Sequence, residues 1–108
     1  MATHLISFRI QYDADHTDRW SSTIEAIRNE ASDSVTWEET TSLIILRSSM
    51  SAEMLATSIY INSKFDVTKD KLLVVDATTG AYATRGQIDY PATLAGMFAK
   101  NSLSALFG

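Results

Sequence analysis

The chain has 108 residues, 45% of them hydrophobic and 20% charged, a length and composition that predict one domain, residues 1–108, able to bury its own core. It contains no cysteine, which excludes disulfides and thiolate metal sites, and its net charge of −4 disfavours a protein that clamps nucleic acid through phosphate contacts. No apolar run suits a signal peptide or a membrane span, so the chain is predicted to be soluble, cytoplasmic and without a membrane partner.

The first predicted element is a β-strand within HLISFRIQYDAD, residues 4–15. Apolar and polar residues alternate along it, which is the period of a strand with one buried face. The strand is expected to end at Tyr12–Asp15, so that the carboxylates of Asp13 and Asp15 stand where the chain leaves the sheet. His4 is placed on the polar face and given no function. The predicted buried face consists of Ile6, Phe8, Ile10 and Tyr12, and the polar row consists of Ser7, Arg9 and Gln11.

A helix is predicted over Asp15–Ala31. Apolar residues recur there at spacings of four, three and four, as on one stripe of an α-helix. Asp15 is a possible N-cap, and carboxylates near the start suit the positive end of the helix dipole. The stripe consists of Trp20, Ile24, Ile27 and Ala31.

A pair of strands is predicted next, over Val35–Thr41 and Ser42–Arg47, with a tight reversal near Glu39–Thr41. Because no glycine or proline marks the reversal, one long bent strand is the alternative. The second strand is apolar on both faces, which is typical of a strand covered on both sides.

The remaining elements are a helix, two strands and a terminal helix. The helix begins among the serines of residues 48–51 and continues through Lys64, with Met54, Leu55, Ile59, Ile61 and Phe65 as its apolar face. Strands are predicted at Lys71–Thr79 and Ala81–Arg85, followed by a helix over residues 91–107 that Pro91 opens.

This order, β-α-β-β-α-β with a short fifth strand and a C-terminal helix, predicts an α+β protein with a ferredoxin-like fold. Its core is expected over about residues 4–86, as an antiparallel sheet with two helices on one face. The other face combines the polar row of the first strand with apolar residues of its neighbours. An apolar open face of this kind needs a partner. A homodimer that stacks or extends the two sheets is the simplest prediction.

Three segments resemble one protein family. They are Ile10-Gln11-Tyr12-Asp13, the run from Thr41 to Ser48 followed by Ser51-Ala52-Glu53, and Lys69 to Val75. Together they resemble the SinR-like and virulence-associated-protein-D-like relatives of CRISPR-associated protein two, over roughly residues 4–86. The resemblance implies a ferredoxin-like homodimer. In the nuclease members an aspartate closing the first strand faces its symmetry mate and holds a divalent metal for phosphodiester hydrolysis, and Asp13 occupies that position. Those members usually have a basic region after the second strand, whereas this chain has Trp37-Glu38-Glu39.

Two interpretations of the acidic segment follow. As a catalytic site, Asp13 and Asp15 would bind Mg²⁺ or Mn²⁺, and His16 beside them would serve as a general base. As a structural feature, the carboxylates cap the first helix and His16 is an ordinary surface residue. Capping is the interpretation we favour on the residues alone.

Three functional hypotheses remain open. The leading one is a dimeric ferredoxin-like protein of this group that acts through protein or nucleic-acid contacts, and the second is a Mg²⁺- or Mn²⁺-dependent nuclease with paired Asp13 side chains. The third is a small-molecule-binding regulatory domain that uses Ser7, Arg9 and Gln11, a set that is equally consistent with a solvated sheet face. Tyr82 and Arg85 are candidates to reach across a dimer or to stack on a base, although a short edge strand exchanged between protomers also explains them.

Overall fold

The structure, a computed structural model, describes residues 1–99. Within these residues, strands and helices follow one another in the predicted order. They are β1 (Ala2–Arg9), α1 (His16–Arg28), β2 (Thr36–Thr40), β3 (Leu43–Ser48), α2 (Ala52–Ile61), β4 (Lys71–Asp76), β5 (Tyr82–Gly86) and α3 (Pro91–Phe98).

The five strands form one open antiparallel sheet in the order β2-β3-β1-β4-β5. This α+β arrangement is consistent with the predicted ferredoxin-like fold, and β1 is its middle strand. Thr41 and Ser42 alone separate β2 from β3, which pair as a hairpin. The alternative of one long bent strand is therefore wrong.

The hydrophobic core lies between one face of the sheet and helices α1 and α2. Alternate residues of β1, β3 and β4 enter it, and each helix contributes residues three or four apart, as its period requires. Burying a side chain of this size contributes roughly 1.5–3 kcal/mol, so these residues hold the two helices on the sheet. The core includes Ile6, Phe8, Ile24, Ile27, Ile44, Leu46, Leu55, Ile59, Leu72 and Val74.

The structure corrects the prediction for β1 at both ends. The strand ends at Arg9, so Asp13 lies four residues beyond the sheet. Tyr12 is 88% exposed and does not belong to the buried face of the strand. His4 is fully buried rather than on the polar face, because it lies two residues before Ile6 and a strand repeats its faces every two residues.

The helices are shorter than predicted. Helix α1 ends at Arg28, and Trp20 is 39% exposed at the margin of its buried stripe. Helix α2 ends at Ile61, before Lys64. Met54 and Ile61 are 55% and 67% exposed, so two members of the predicted apolar face are wrong. They lie seven positions apart on a second, outward stripe of the helix, next to the one that buries Leu55.

The sheet face opposite α1 and α2, the open face, carries one apolar residue from every strand at the same level. The strand register places Trp37, Ile45, Leu5, Val75 and Tyr82 side by side from β2 to β5. We refer to these five residues as the apolar row. Trp37 is 41% exposed and the other four are half-buried.

Helix α3 reaches the open face at its last residue. The Phe98 ring lies 4.7 Å from the Tyr82 ring, centroid to centroid. None of the residues of α3 is buried. Pro91 occupies the first turn as predicted, and the predicted helical residues 100–107 lie outside the described part of the chain.

Candidate functional site

Asp13 lies in the loop between β1 and α1, and both of its carboxylate oxygens are engaged. Oδ1 accepts hydrogen bonds from the Asp15 backbone N–H at 3.0 Å and from Arg19 Nη1 at 2.9 Å. Oδ2 accepts one from Lys69 Nζ at 3.1 Å. The side chain is 23% exposed. The carboxylate therefore joins the β1–α1 loop to helix α1 and to the segment that precedes β4.

Arg19 extends from the first turns of α1 to a second carboxylate, that of Asp70. Arg19 Nε donates to Asp70 Oδ2 at 3.1 Å, and Nη2 donates to the Gln11 carbonyl oxygen at 2.9 Å. Arg19 is 5% exposed and Asp70 is fully buried. A buried guanidinium is tolerated when its donors are paired in this way, because each bond replaces one to water.

Asp70 is held by backbone groups as well as by Arg19. Its Oδ1 accepts from the Gln11 backbone N–H at 2.9 Å, and its Oδ2 accepts from the Asp66 backbone N–H at 2.9 Å. The neighbouring strand also packs closely, since a Cβ on Gly86, where φ is +92°, would lie 1.9 Å from the Asp70 carbonyl oxygen. One carboxylate thus fixes two loops that are far apart in the sequence.

The electrostatics of this group follow from its ion pairs. The hydrogen bond from Arg19, with smaller contributions from Lys69 and the Asp15 backbone, lowers the pKa of Asp13 from its ordinary value of 3.8 to about 2, although desolvation opposes the shift. Hydrogen bonds to Asp13 and Asp70 raise the pKa of Arg19 above its usual range. Asp13 is therefore ionised at neutral pH and is a poor general acid or base there.

The four side chains, which we call the ion cluster (Asp13, Arg19, Lys69 and Asp70), combine two negative with two positive charges and are formally neutral. A divalent cation bound to Asp13 would displace Lys69 and lie beside the Arg19 guanidinium, a repulsive position. Among residues 1–99, no group of three or more His, Cys, Asp or Glu side chains is placed to hold a metal ion. The geometry of Asp13 favours a structural role for this carboxylate.

Asp15 and His16 begin helix α1. Asp15 is the N-cap residue, and its side chain makes no capping hydrogen bond, whereas its backbone oxygen accepts from the Arg19 N–H at 3.1 Å. His16 lies beside Tyr12, with 5.2 Å between ring centroids. Neither side chain joins the ion cluster among the described contacts.

Of the three polar residues predicted to line a pocket, two lie side by side and the third does not join them. Ser7 and Arg9 are exposed on the open face, and Gln11 lies beyond the end of β1. A depression of about 180 Å³ adjoins Ser7, Arg9 and Ile88. Ligand pockets usually enclose about 300–1,000 Å³, so the depression is small for a ligand site.

Tyr82 and Arg85 lie on opposite faces of β5. Tyr82 belongs to the open face, whereas Arg85 turns towards α2, where Nη2 donates to Glu53 Oε1 at 2.6 Å and to Thr57 Oγ1 at 2.7 Å. Only Tyr82 is placed to meet a partner on the open face.

Arg19, Lys69 and Asp70 were not predicted as site residues from the sequence. Arg19 had one signal, because it precedes Thr23 and Ile27 by four and eight residues and so lies on a buried row of α1. Asp70 had none, since it closes a charged connection, residues 66–70, that resembles a solvated loop.

Compared with protein-family models, curated proteins and solved structures, the chain matches none of them. Membership of the group around CRISPR-associated protein two therefore stays a prediction. No helix within residues 1–99 has the length and apolar character needed to cross a membrane.

Proposed function

We propose that this protein is a homodimeric interaction module of the SinR-like group, in which the open faces of two copies pack together and the dimer acts by contacting other proteins. The observation that carries the proposal is the apolar row, which spans all five strands on the face opposite α1 and α2. A contiguous apolar patch of this kind marks an interaction site more often than a solvated surface.

The open face is smaller than a standard interface, as is common for weak contacts. Five strands about 4.8 Å apart and about 20 Å long present roughly 500 Å² in projection. A standard interface buries about 800 Å² per partner. We therefore expect a dimer that dissociates in the micromolar range rather than a permanent one.

Two features favour protein over nucleic acid as the further partner. The chain has 13 acidic and 9 basic residues, whereas nucleic-acid affinity depends on cations that neutralise phosphates. In addition, ion pairs already engage seven of the nine basic side chains. They are those of Arg19, Arg28, Arg47, Lys64, Lys69, Lys71 and Arg85.

Sedimentation equilibrium over a range of micromolar concentrations tests the dimer. The wild-type chain should show a molar mass that rises with concentration towards twice the monomer mass. The variants Leu5→Lys and Trp37→Lys should each show the monomer mass. Met54→Lys is the matched control, because it places the same charge on an exposed apolar residue of α2. A wild-type monomer throughout, or a dimer unaffected by both open-face variants, would contradict the proposal.

The nuclease alternative has its own test. Both oxygens of Asp13 are occupied by N–H donors. In assays on RNA and DNA with Mg²⁺ or Mn²⁺, we therefore expect no metal-dependent cleavage that is present in the wild type and absent from Asp13→Ala. Metal-dependent cleavage that disappears in the Asp13→Ala variant, with its circular dichroism spectrum unchanged, would establish the nuclease instead.

A further inference from the structure

The described chain ends on the open face. Phe98, at the end of α3, stacks against Tyr82, which is the β5 member of the apolar row. Leu94, one helical turn earlier, is half-buried, whereas Met97 is 77% exposed. The chain thus leaves α3 at one end of the row.

The residues that follow have the composition of a docking segment. Residues 100–107 read KNSLSALF, with Lys100 as the one charged side chain. Leu103, Leu106 and Phe107 recur at the i, i+3, i+4 spacing that forms one apolar stripe in a helix. The chemistry of this stripe matches the apolar row.

The length of the segment is sufficient. Leu5, at the centre of the row, lies two strand spacings from Tyr82, or about 10 Å. The nine residues 99–107 span about 14 Å if helical and about 30 Å if extended. Either length is enough to cover the distance from Tyr82 to Leu5.

From these placements we infer that the C-terminal segment, residues 99–107, docks on the open face of its own chain through Leu103, Leu106 and Phe107, and competes there with a second copy. The competition, but not the docking, rests on the proposed dimer. A tethered segment has an effective concentration of about a millimolar, above the micromolar concentrations at which a second copy competes.

Competition weakens the dimer in a calculable way. The apparent affinity falls in proportion to the fraction of protein that is competent to bind. If the segment covers the face nine-tenths of the time, only about one-tenth of each protomer is competent to dimerise. The apparent affinity of the dimer then falls about tenfold for each protomer, or about a hundredfold for the pair. Releasing the segment should tighten the dimer by up to that factor.

Two measurements on the full-length chain test the inference. Because the chain contains no cysteine, Ser104→Cys accepts a single nitroxide label. In the monomer the label should broaden the methyl resonances of Leu5 and Val75 much more than those of Met54 and Ile61. Diluting labelled protein with unlabelled protein separates contacts within a chain from contacts between chains.

The second measurement compares dimer dissociation constants. The double variant Leu106→Asp and Phe107→Asp should lower the dissociation constant of the dimer. The control double variant, Asn101→Asp and Ser102→Asp, adds the same charge away from the stripe and should change the dissociation constant little. Undisturbed Leu5 and Val75 resonances would overturn the docking whether or not a dimer forms. If the Leu5 and Val75 resonances broaden but neither double variant dimerises, the docking would be supported. The competition and the proposed dimer would both be refuted. Broadening with a dissociation constant unchanged by Leu106→Asp and Phe107→Asp would overturn the competition alone.

Discussion

Replacing Asp70 with asparagine should destabilise the protein more than any other single exchange of a carboxylate for an amide in residues 1–99. The carboxylate is fully buried and accepts hydrogen bonds from Arg19 and from the backbone N–H groups of Gln11 and Asp66. Asparagine retains one acceptor oxygen but turns its amide donors towards the Arg19 Nε and Asp66 N–H groups. Losing the charge on one side of a buried pair costs about 3–5 kcal/mol, a large share of the 5–15 kcal/mol by which a domain is typically stable.

Urea unfolding followed by circular dichroism at pH 7 measures this loss. Asp18→Asn is the matched control, because its ion pair with Lys64 is exposed, with the Asp18 side chain 76% accessible. It should change the free energy of unfolding by about 0.5 kcal/mol or less. In an Arg19→Met background, Asp70→Asn should cost at least about 1 kcal/mol less than in the wild type. A loss below about 1 kcal/mol for Asp70→Asn, or full additivity with Arg19→Met, would refute the role assigned to this pair.

Two further predictions concern Asp13 and His4. The pKa of Asp13 is lowered from 3.8 to about 2, so its ion pairs stabilise the fold above about pH 4 and lose that effect as the pH falls through 2. The difference in unfolding free energy between the wild type and Asp13→Asn should therefore shrink between pH 4 and pH 2, and a constant difference would count against the ion pairs. His4 is fully buried, and neither ring nitrogen finds a hydrogen-bond partner within residues 1–99. Since an unpaired buried polar group costs about 1–3 kcal/mol, His4→Leu should raise the thermal midpoint. His16 is only half-buried, and His16→Gln should not raise the midpoint. A lower midpoint for His4→Leu would show that the imidazole is satisfied in solution.

The fold was predictable because its signals are local. The two-residue period of β1 and the helical stripes of α1 and α2 each fit within a dozen residues, and their order alone gives the sheet topology. Two of the errors, at Tyr12 and Ile61, occur where an apolar residue lies at or beyond the end of an element. Periodicity shows that such a residue could face the core, but packing decides whether the element extends that far.

The ion cluster was not predictable for the opposite reason. Arg19 and Asp70 are 51 residues apart, and Lys69 and Asp13 are 56 apart. No local pattern links residues at such separations, and Asp13 looks the same in sequence whether it caps a helix, binds a metal or pairs with Arg19. The three-dimensional partners decide between these roles.

The place of β1 in the sheet has a consequence for how the chain folds. It is synthesised before β3 and β4, yet it pairs with β3 on one edge and β4 on the other. One of its edges therefore remains unpaired until residues 71–76 have emerged, and an unpaired edge is where nascent chains associate wrongly. The Arg19–Asp70 bond is subject to the same delay, so the buried guanidinium acquires its second carboxylate only when β4 arrives. We expect docking of β4 to be the late, rate-limiting step of folding, with long-range contacts that make it slow for a chain of this size.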